Sequence, residues 1–233
     1  MRKFLQRVVI LCAVMELLGF SWPWEINVAD PTDPHAHAWI QQEMHTLKAQ
    51  AANIDTNVLR LSLIAYLKAR SQGLDHQQIL TVIDYSKPSY EKRLWVFDLK
   101  KSHPLLYHTY VSHGKNSGDV WATSFSNKVH SLQSSLGVFT TGESYMGNLG
   151  YALRLNGLEP GINDNAYRRA TVIHGAPYVN DEAVKRYGRI GRSWGCPAVS
   201  RELVRPLINT IKNNTVLVAY YPDRHWMSHS RYL

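Results

Sequence analysis

The chain has 233 residues, of which 45% are hydrophobic and 19% charged, a globular composition with enough apolar side chains for a sizeable core. Its formal net charge is +8, a balance that favours anionic polymers or surfaces as partners. The basic residues are dispersed and form no block of five or six, which argues against nucleic acid as the partner.

The N-terminal segment has the features of an export signal. Arg2 and Lys3 precede a mostly apolar run from Val8 to Phe20, which is short for a membrane span. Glu16 interrupts the run and no clean cleavage site follows, so an uncleaved anchor or a packed helix remains the alternative. We expect residues 1–29 to be a signal peptide or anchor that makes any membrane contact, and the protein to be exported to the periplasm or cell envelope.

Residues 30–79 are expected to be a linker followed by helices. Asp33-Pro34 is a typical helix start, and apolar residues then recur at helical spacing. A second helix, capped by Asp55, is predicted to end near Gly73, and a short third helix is predicted around Asp75 to Leu80.

From residue 80 onward the pattern changes to short β-type runs separated by turn residues. The predicted strands cover residues 80–85, 93–99, 105–112, 138–141, 151–155, 170–174 and 215–221. Ser200 is expected to cap a helix that runs to Asn213, interrupted or started late by Pro206. The order of elements predicts a mainly β fold with α additions, a sandwich or barrel over residues 80–222, followed by a tail at 223–233.

The residue that most invites a chemical role is Cys196. The only other cysteine, Cys12, lies in the apolar N-terminal segment, so removal of that segment would leave Cys196 without an intramolecular partner. Such a thiol pairs with another chain, lies inert in a core or acts as a nucleophile. A nucleophilic thiol needs a base, and His174 lies 22 residues upstream at the end of a predicted strand. This combination favours the nucleophile.

The residues flanking Cys196 fit the same interpretation. Gly195 lacks a side chain, so backbone amides there are able to approach an oxyanion, and Ser193 and Arg192 are candidate donors to a substrate. Histidines and Cys196 show none of the close ligand spacings of a zinc site, and we expect no metal or cofactor.

Two segments resemble the catalytic motif of the L,D-transpeptidase (YkuD-type) family. They are Val172-Ile173-His174-Gly175-Ala176 and Gly191-Arg192-Ser193-Trp194-Gly195-Cys196, and the resemblance is greatest to the divergent murein L,D-transpeptidase catalytic domain branch. Further stretches that resemble this branch are residues 83–89, 113–118 and 161–166. Two positions depart from the family pattern, with Trp194 in place of the usual histidine and Ala198 in place of the usual arginine.

The resemblance implies a YkuD-like fold and cysteine-dependent acyl transfer on peptidoglycan stem peptides. His174 would activate Cys196, the Gly175 carbonyl would orient the imidazole, and the Gly195 amide would help to hold the oxyanion. An amine of a second stem, or of a wall-anchored protein, would resolve the thioester. The alternatives are an L,D-carboxypeptidase, a thiol amidase and a catalytically silent peptidoglycan-binding module.

Substrate contacts are expected from Arg192, Trp194, His113 and Tyr178. His113 opens a glycine- and serine-rich loop, where the alternative is a tight turn with an exposed histidine. The resemblance implies that the family's usual arginine, replaced here by Ala198, contacts a substrate carboxylate. Arg189, Arg192 and Arg201 are the candidates to make this contact instead, and the sequence does not choose among them.

Overall fold

The computed structural model describes residues 33–233, and the predicted export segment lies outside these described residues. The helices are α1 (Pro34–Gln50), α2 (Thr56–Ser71), α3 (Asp181–Tyr187), α4 (Arg201–Ile211) and α5 (Arg224–His229). The strands are β1 (Ile79–Asp84), β2 (Leu94–Asp98), β3 (Leu105–Thr109), β4 (Gly137–Gly147), β5 (Gly150–Gly157), β6 (Val172–Ala176), β7 (Ala198–Ser200) and β8 (Val216–Tyr220). No helix within residues 33–233 combines the length and the apolar character needed to cross a bilayer.

The eight strands form one sheet that is nearly closed into a barrel. Their order is β3-β2-β1-β8-β4-β5-β6-β7, antiparallel except for the parallel pairs β1–β8 and β6–β7. Just after β3, the Ser112 amide donates to the carbonyl of Ala198 in β7 at 2.9 Å, and the Ala198 amide donates to the Ser112 hydroxyl at 3.2 Å. The two ends of the sheet therefore meet. The predicted mainly β fold is confirmed in its barrel form.

The core lies between this sheet and helices on two sides. Every residue of β1, β2 and β8 is buried, and α2 packs on β1 and β8. On the other side, α4 packs on β5, β6 and β7 and buries Leu207, Ile208 and Ile211. Burial of such large apolar side chains stabilises the fold by roughly 1.5–3 kcal/mol each. The short strands β6 and β7 are thus supported from behind.

Residues 223–233 contain α5, which is anchored by a buried carboxylate. The indole nitrogen of Trp226 donates to Glu159 Oε2 at 3.1 Å, and Glu159 also accepts from the amide of Val138 at 2.7 Å. Lys68 of α2 donates to the carbonyl of Leu233 at 2.8 Å. The C-terminal segment therefore bridges the barrel and the N-terminal helices.

The structure differs from the sequence predictions at three places. The predicted third helix is wrong, because the Asp75 carboxylate accepts from the amides of Gln77 and Gln78 and turns the chain directly into β1. Helix α4 begins at Arg201 after the predicted Ser200 cap and continues through Pro206 to Ile211. The sequence pattern did not predict helix α3. It predicted strands at 138–141 and 151–155, and the structure has the longer strands β4 and β5, which form a hairpin.

Candidate active site

The parallel pairing of β6 and β7 brings the loop of Cys196 beside the segment that carries His174. His174 pairs with Ala198 in the register of the two strands. Cys196 lies two residues earlier, about 7 Å along the chain at a strand rise of about 3.3 Å per residue. Its sulfur is 3.5 Å from the amide nitrogen of Val172 and 3.6 Å from the carbonyl oxygen of Ala170. The Cys196 residue is half-buried.

His174 is buried and has a defined tautomer. Its Nδ1 lies 3.1 Å from the carbonyl oxygen of Gly175. A carbonyl only accepts, so Nδ1 carries the proton and Nε2 has a free lone pair. Burial lowers the pKa of His174, which keeps the ring neutral, and the bond to Gly175 partly opposes this shift. A Cβ at Gly175 would lie 2.9 Å from Val204 Cγ1, so glycine lets α4 pack directly on β6.

Ser193 organises the loop that carries the thiol. It is buried, and its hydroxyl accepts from the Gly195 amide at 3.0 Å and donates to the Cys196 carbonyl at 2.6 Å. Ser193 therefore acts within the loop rather than as a substrate donor. The expected oxyanion donor, the Gly195 amide, is already engaged by it. The amide of Cys196 itself has no hydrogen-bond acceptor in the described part of the chain.

Glycine at position 195 is required by the backbone. Gly195 has φ of +119°, and a Cβ there would lie 2.6 Å from the carbonyl oxygen of Gln133. The loop 126–135 therefore approaches the Cys196 loop closely. Ser134 also links them, because its hydroxyl accepts from the Gly114 amide at 3.0 Å and donates to the Gly195 carbonyl at 3.3 Å.

His113 lies behind this loop and does not reach a substrate. It is fully buried, with Nδ1 2.8 Å from an Arg93 nitrogen and Nε2 3.4 Å from the Gly118 carbonyl oxygen. Burial, together with the positive charge of Arg93, lowers the pKa of His113 to about 4. The predicted substrate contact by His113 is wrong, because both ring nitrogens are used inside the protein. The alternative of an exposed turn histidine is wrong as well.

A buried arginine completes this support. Arg93 donates to the carbonyls of Lys87 and Val111 at 2.7 and 3.1 Å and lies 5.2 Å from the ring centre of Tyr85. Burial lowers the pKa of Arg93 to about 10 and raises the pKa of Tyr85 to about 12. The stretches 83–89 and 113–118 thus contribute to a buried platform beneath the thiol loop. From the sequence, residues 83–89 and 113–118 were known only to resemble the family branch, and their structural role was not predicted.

The charge that acts on the thiol comes from Arg169, which the sequence analysis missed. Burial raises the pKa of Cys196, while the Val172 amide and the positive charge of Arg169 lower it. The Arg169 guanidinium also holds the neighbouring loop. Its acceptors are the carbonyls of Ser126 and Gln133 and the hydroxyls of Ser131 and Ser135. No local motif marks Arg169, since it lies 27 residues before the cysteine in sequence.

The arginines that the sequence put forward have other surroundings. Arg189 and Arg192 both pair with Asp119, at 2.9 and 3.3 Å. Arg192 also donates to the carbonyl of Gly118 at 2.9 Å, so these two arginines brace the loop after β3. Arg201 instead lines a groove of about 550 Å³ together with His174.

Tyr178 and Trp194 form the rim of the site. Tyr178 lines the same groove as His174 and packs on Gly191, where a Cβ would lie 2.5 Å from its ring. Burial raises the pKa of Tyr178, and a negative charge on Cys196 contributes in the same direction. Trp194 is 76% exposed, with Lys115 Nζ 5.9 Å from its ring centre. No group of three or more metal-ligating side chains occurs within residues 33–233.

The chain matches a known protein family over most of its length. The family model YkuD_2, described as "L,D-transpeptidase catalytic domain", matches residues 50–220. No curated protein sequence matches the chain. Among solved structures it is similar to an L,D-transpeptidase from Mycobacterium smegmatis, at 15% identity and TM-score 0.38, covering 62% of this chain and 59% of that one.

Two further solved structures are similar over a comparable share of the chain. An L,D-transpeptidase from Mycobacterium tuberculosis H37Rv has 13% identity and TM-score 0.39, covering 62% of this chain and 58% of that one. The helical cell shape determining protein Pgp2 from Campylobacter jejuni has 12% identity and TM-score 0.39, covering 63% and 48%. The chain thus spans about half to three fifths of the length of these structures. The family match over residues 50–220 establishes that the chain belongs to the L,D-transpeptidase catalytic domain family.

Proposed function

We propose that the protein is a cysteine acyltransferase that acts on peptidoglycan stem peptides of the cell envelope. The observation that carries the proposal is the His174 geometry. Its Nδ1 is bound to the Gly175 carbonyl, so Nε2 is free, and β6 and β7 place the Cys196 loop beside it. Family membership supports the peptidoglycan substrate class.

The first half-reaction forms a thioester. His174 Nε2 takes the proton from the Cys196 thiol, and the thiolate adds to the carbonyl carbon of the third stem residue. The free amide of Cys196 donates to the oxyanion that results, in place of the engaged Gly195 amide. Collapse of this intermediate breaks the peptide bond, and the departing D-alanine amine takes the proton from His174.

The second half-reaction resolves the thioester. An acceptor amine, from a second stem or a wall-anchored protein, loses its proton to His174 Nε2 and attacks the thioester carbonyl. The Cys196 thiolate then leaves and recovers the proton from His174. With water in place of the amine, the same steps give an L,D-carboxypeptidase. We propose transfer to an amine, and hydrolysis is the alternative reaction that product analysis distinguishes from it.

Arg169 and Tyr178 contribute to this reaction in different ways, one through its charge and the other through contact with the peptide. The positive charge of Arg169 stabilises the thiolate as it forms, against the burial that favours the neutral thiol. Tyr178 lines the groove beside His174 and contacts the bound peptide there, together with Arg201. Trp194 supplies an exposed aromatic surface next to the thiol.

Incubation of the purified protein with disaccharide-tetrapeptides tests the proposal. Transfer yields cross-linked dimers joined between two third residues, hydrolysis yields tripeptides alone, and Cys196→Ala yields neither. Absence of both products from the folded wild-type protein would favour a silent binding module. Cross-linking by Cys196→Ala would exclude the thiol as the nucleophile.

A further inference from the structure

Arg154, in β5, is flanked by two aromatic rings and has no anionic partner. Its guanidinium carbon lies 4.6 Å from the ring centre of Tyr145 and 5.1 Å from that of Tyr167. Within residues 33–233, none of the ion pairs or side-chain hydrogen bonds involves Arg154. Cation–π contacts of this kind fix a guanidinium while its N–H edge stays available to a ligand.

The strands place Arg154 near the thiol. Arg154 pairs with Val172 across β5 and β6, and the Val172 amide lies 3.5 Å from the Cys196 sulfur. Tyr167 is three residues before Ala170, whose carbonyl oxygen lies 3.6 Å from the same sulfur. Two strand spacings of about 4.8 Å put the Arg154 backbone roughly 10 Å from Cys196. An extended peptide covers this distance with about three residues.

Arg154 and one of its two rings, Tyr167, line an open polar groove. The groove has a volume of about 700 Å³, and Arg154 and Tyr167 line it together with Asn156 and Asn214. Glu143 also lines the groove, but it forms no ion pair with Arg154 within 4.0 Å. The Arg154 guanidinium is therefore a cationic group of this groove whose hydrogen-bond donors are available to an anion.

Arg169 is less suited to bind a ligand. Its guanidinium already donates to four oxygens of the loop 126–135, so a ligand would have to displace them. Arg189 and Arg192 are occupied by Asp119. Arg154 differs from all three because the neighbours that fix it are aromatic rings, which leave its hydrogen-bond donors unused.

We propose that Arg154, positioned by Tyr145 and Tyr167, binds a free carboxylate of the stem peptide whose acyl group Cys196 receives. This inference rests on the proposed function and names a specificity-determining residue for it. A guanidinium edge and a carboxylate match in shape and charge and form paired hydrogen bonds. Stem peptides carry a terminal carboxylate and, where diaminopimelate is present, another one near the attacked carbonyl.

Peptide binding tests this proposal without chemistry. The Cys196→Ala protein is titrated by calorimetry with a stem tetrapeptide and with the same peptide whose carboxylates are converted to amides. Introducing Arg154→Met into this protein is expected to weaken binding of the acidic peptide roughly 10- to 100-fold. Binding of the amidated peptide should weaken less than about threefold. Arg154→Lys should give an intermediate loss. Arg168→Met removes the same charge next to Tyr167 and should leave the preference for the acidic peptide unchanged.

The outcomes separate this inference from the proposed function. Equal weakening for both peptides, unchanged binding, or no binding of either peptide to Cys196→Ala would overturn the role of Arg154. If the acidic peptide depends on Arg154 but the wild-type protein makes no product, the acyl-transfer proposal fails and the carboxylate site stands. If Arg154→Met does not fold, binding of the acidic and the amidated peptide is compared in Arg154→Lys and Tyr167→Leu instead. Tyr167→Phe is the control, because it keeps the aromatic ring and should keep the binding of the acidic peptide.

Discussion

His113 and His174 each stand before a glycine after a β-type segment, and burial lowers the pKa of both, yet their surroundings differ. His113 uses both ring nitrogens, one beside Arg93 and one toward the Gly118 carbonyl. His174 uses only Nδ1, toward the carbonyl of its own neighbour Gly175. The same local sequence therefore serves as a buried structural support in one place and as a candidate base in the other.

The difference between the two histidines comes from their partners. Arg93 is a permanent donor, so His113 must accept at Nδ1 and carry its proton at Nε2. The Gly175 carbonyl is a permanent acceptor, so the proton of His174 is at Nδ1. The two rings thus have opposite tautomers, and only the tautomer of His174 leaves Nε2 free as a base. One substitution, histidine to asparagine, separates the two roles because Asn replaces Nδ1 and removes Nε2.

The largest effect is expected for His174→Asn. The amide can still donate to the Gly175 carbonyl, but the base is lost, so product formation from tetrapeptides should fall roughly 100- to 10,000-fold. The free energy of unfolding should change by less than about 1 kcal/mol, because no buried partner is left unpaired. Product analysis and urea denaturation measure the two quantities. Near-normal turnover by this variant would mean that another group activates the thiol.

The pH dependence of the free energy of unfolding should reveal the contribution of the buried His113. Folding lowers its pKa from 6.5 to about 4, so the unfolded chain binds the proton first as the pH falls. The stabilisation is complete above pH 6.5 and is lost as the pH falls toward 4, with a total of about 3 kcal/mol at 1.36 kcal/mol per unit. In His113→Asn this loss should be absent, which makes the acid unfolding curve of the variant flatter. The acid unfolding curve of His174→Asn is the reference, because this variant removes the other histidine whose pKa is lowered by burial.

At neutral pH the cost of changing His113 depends on the partner that is left. His113→Leu removes the acceptor for the buried Arg93 and should cost about 2–3 kcal/mol of unfolding free energy. His113→Asn keeps that acceptor, loses only the long contact to Gly118 and should cost about 1 kcal/mol. Denaturant titration of both variants measures the difference. Equal stability of the two would show that the Arg93 contact contributes nothing.

The smallest effect is expected at Trp194. Its side chain is 76% exposed and is not part of the platform, so Trp194→Ala should change stability by less than about 0.5 kcal/mol. Turnover should fall no more than the roughly tenfold that loss of an aromatic substrate contact implies. A loss as large as that of His174→Asn would place Trp194 in the chemistry itself, which would change the comparison between the two histidines.

The sequence was informative where a property is local. Short β-branched and aromatic runs predicted the strands, and the caps Asp33, Asp55 and Ser200 stand where they were expected. The register of β6 and β7 puts the loop that carries Cys196 beside the strand that carries His174. The third helix failed because the Asp75 carboxylate binds the amides that a helix would have used.

The remaining features depend on contacts between distant segments. The position of His113, after β3, depends on its contact with Arg93, twenty residues away just before β2, and no spacing rule links them. Arg169 directly precedes Ala170, whose carbonyl oxygen lies 3.6 Å from the Cys196 sulfur, and the loop 126–135 accepts its hydrogen bonds. The available edge of Arg154 likewise depends on rings from two other segments, which a reading along the chain does not bring together.

The most direct test of the account is to trap the acyl-enzyme. The wild-type, Cys196→Ala and His174→Asn proteins are mixed with a disaccharide-tetrapeptide, quenched in acid and measured by intact-mass and peptide-mapping mass spectrometry. We predict a mass increase equal to the disaccharide-tripeptide acyl group, located on Cys196 of the wild-type protein, strongly reduced in His174→Asn and absent from Cys196→Ala. Product formation without an adduct on Cys196, unchanged in Cys196→Ala, would contradict the account.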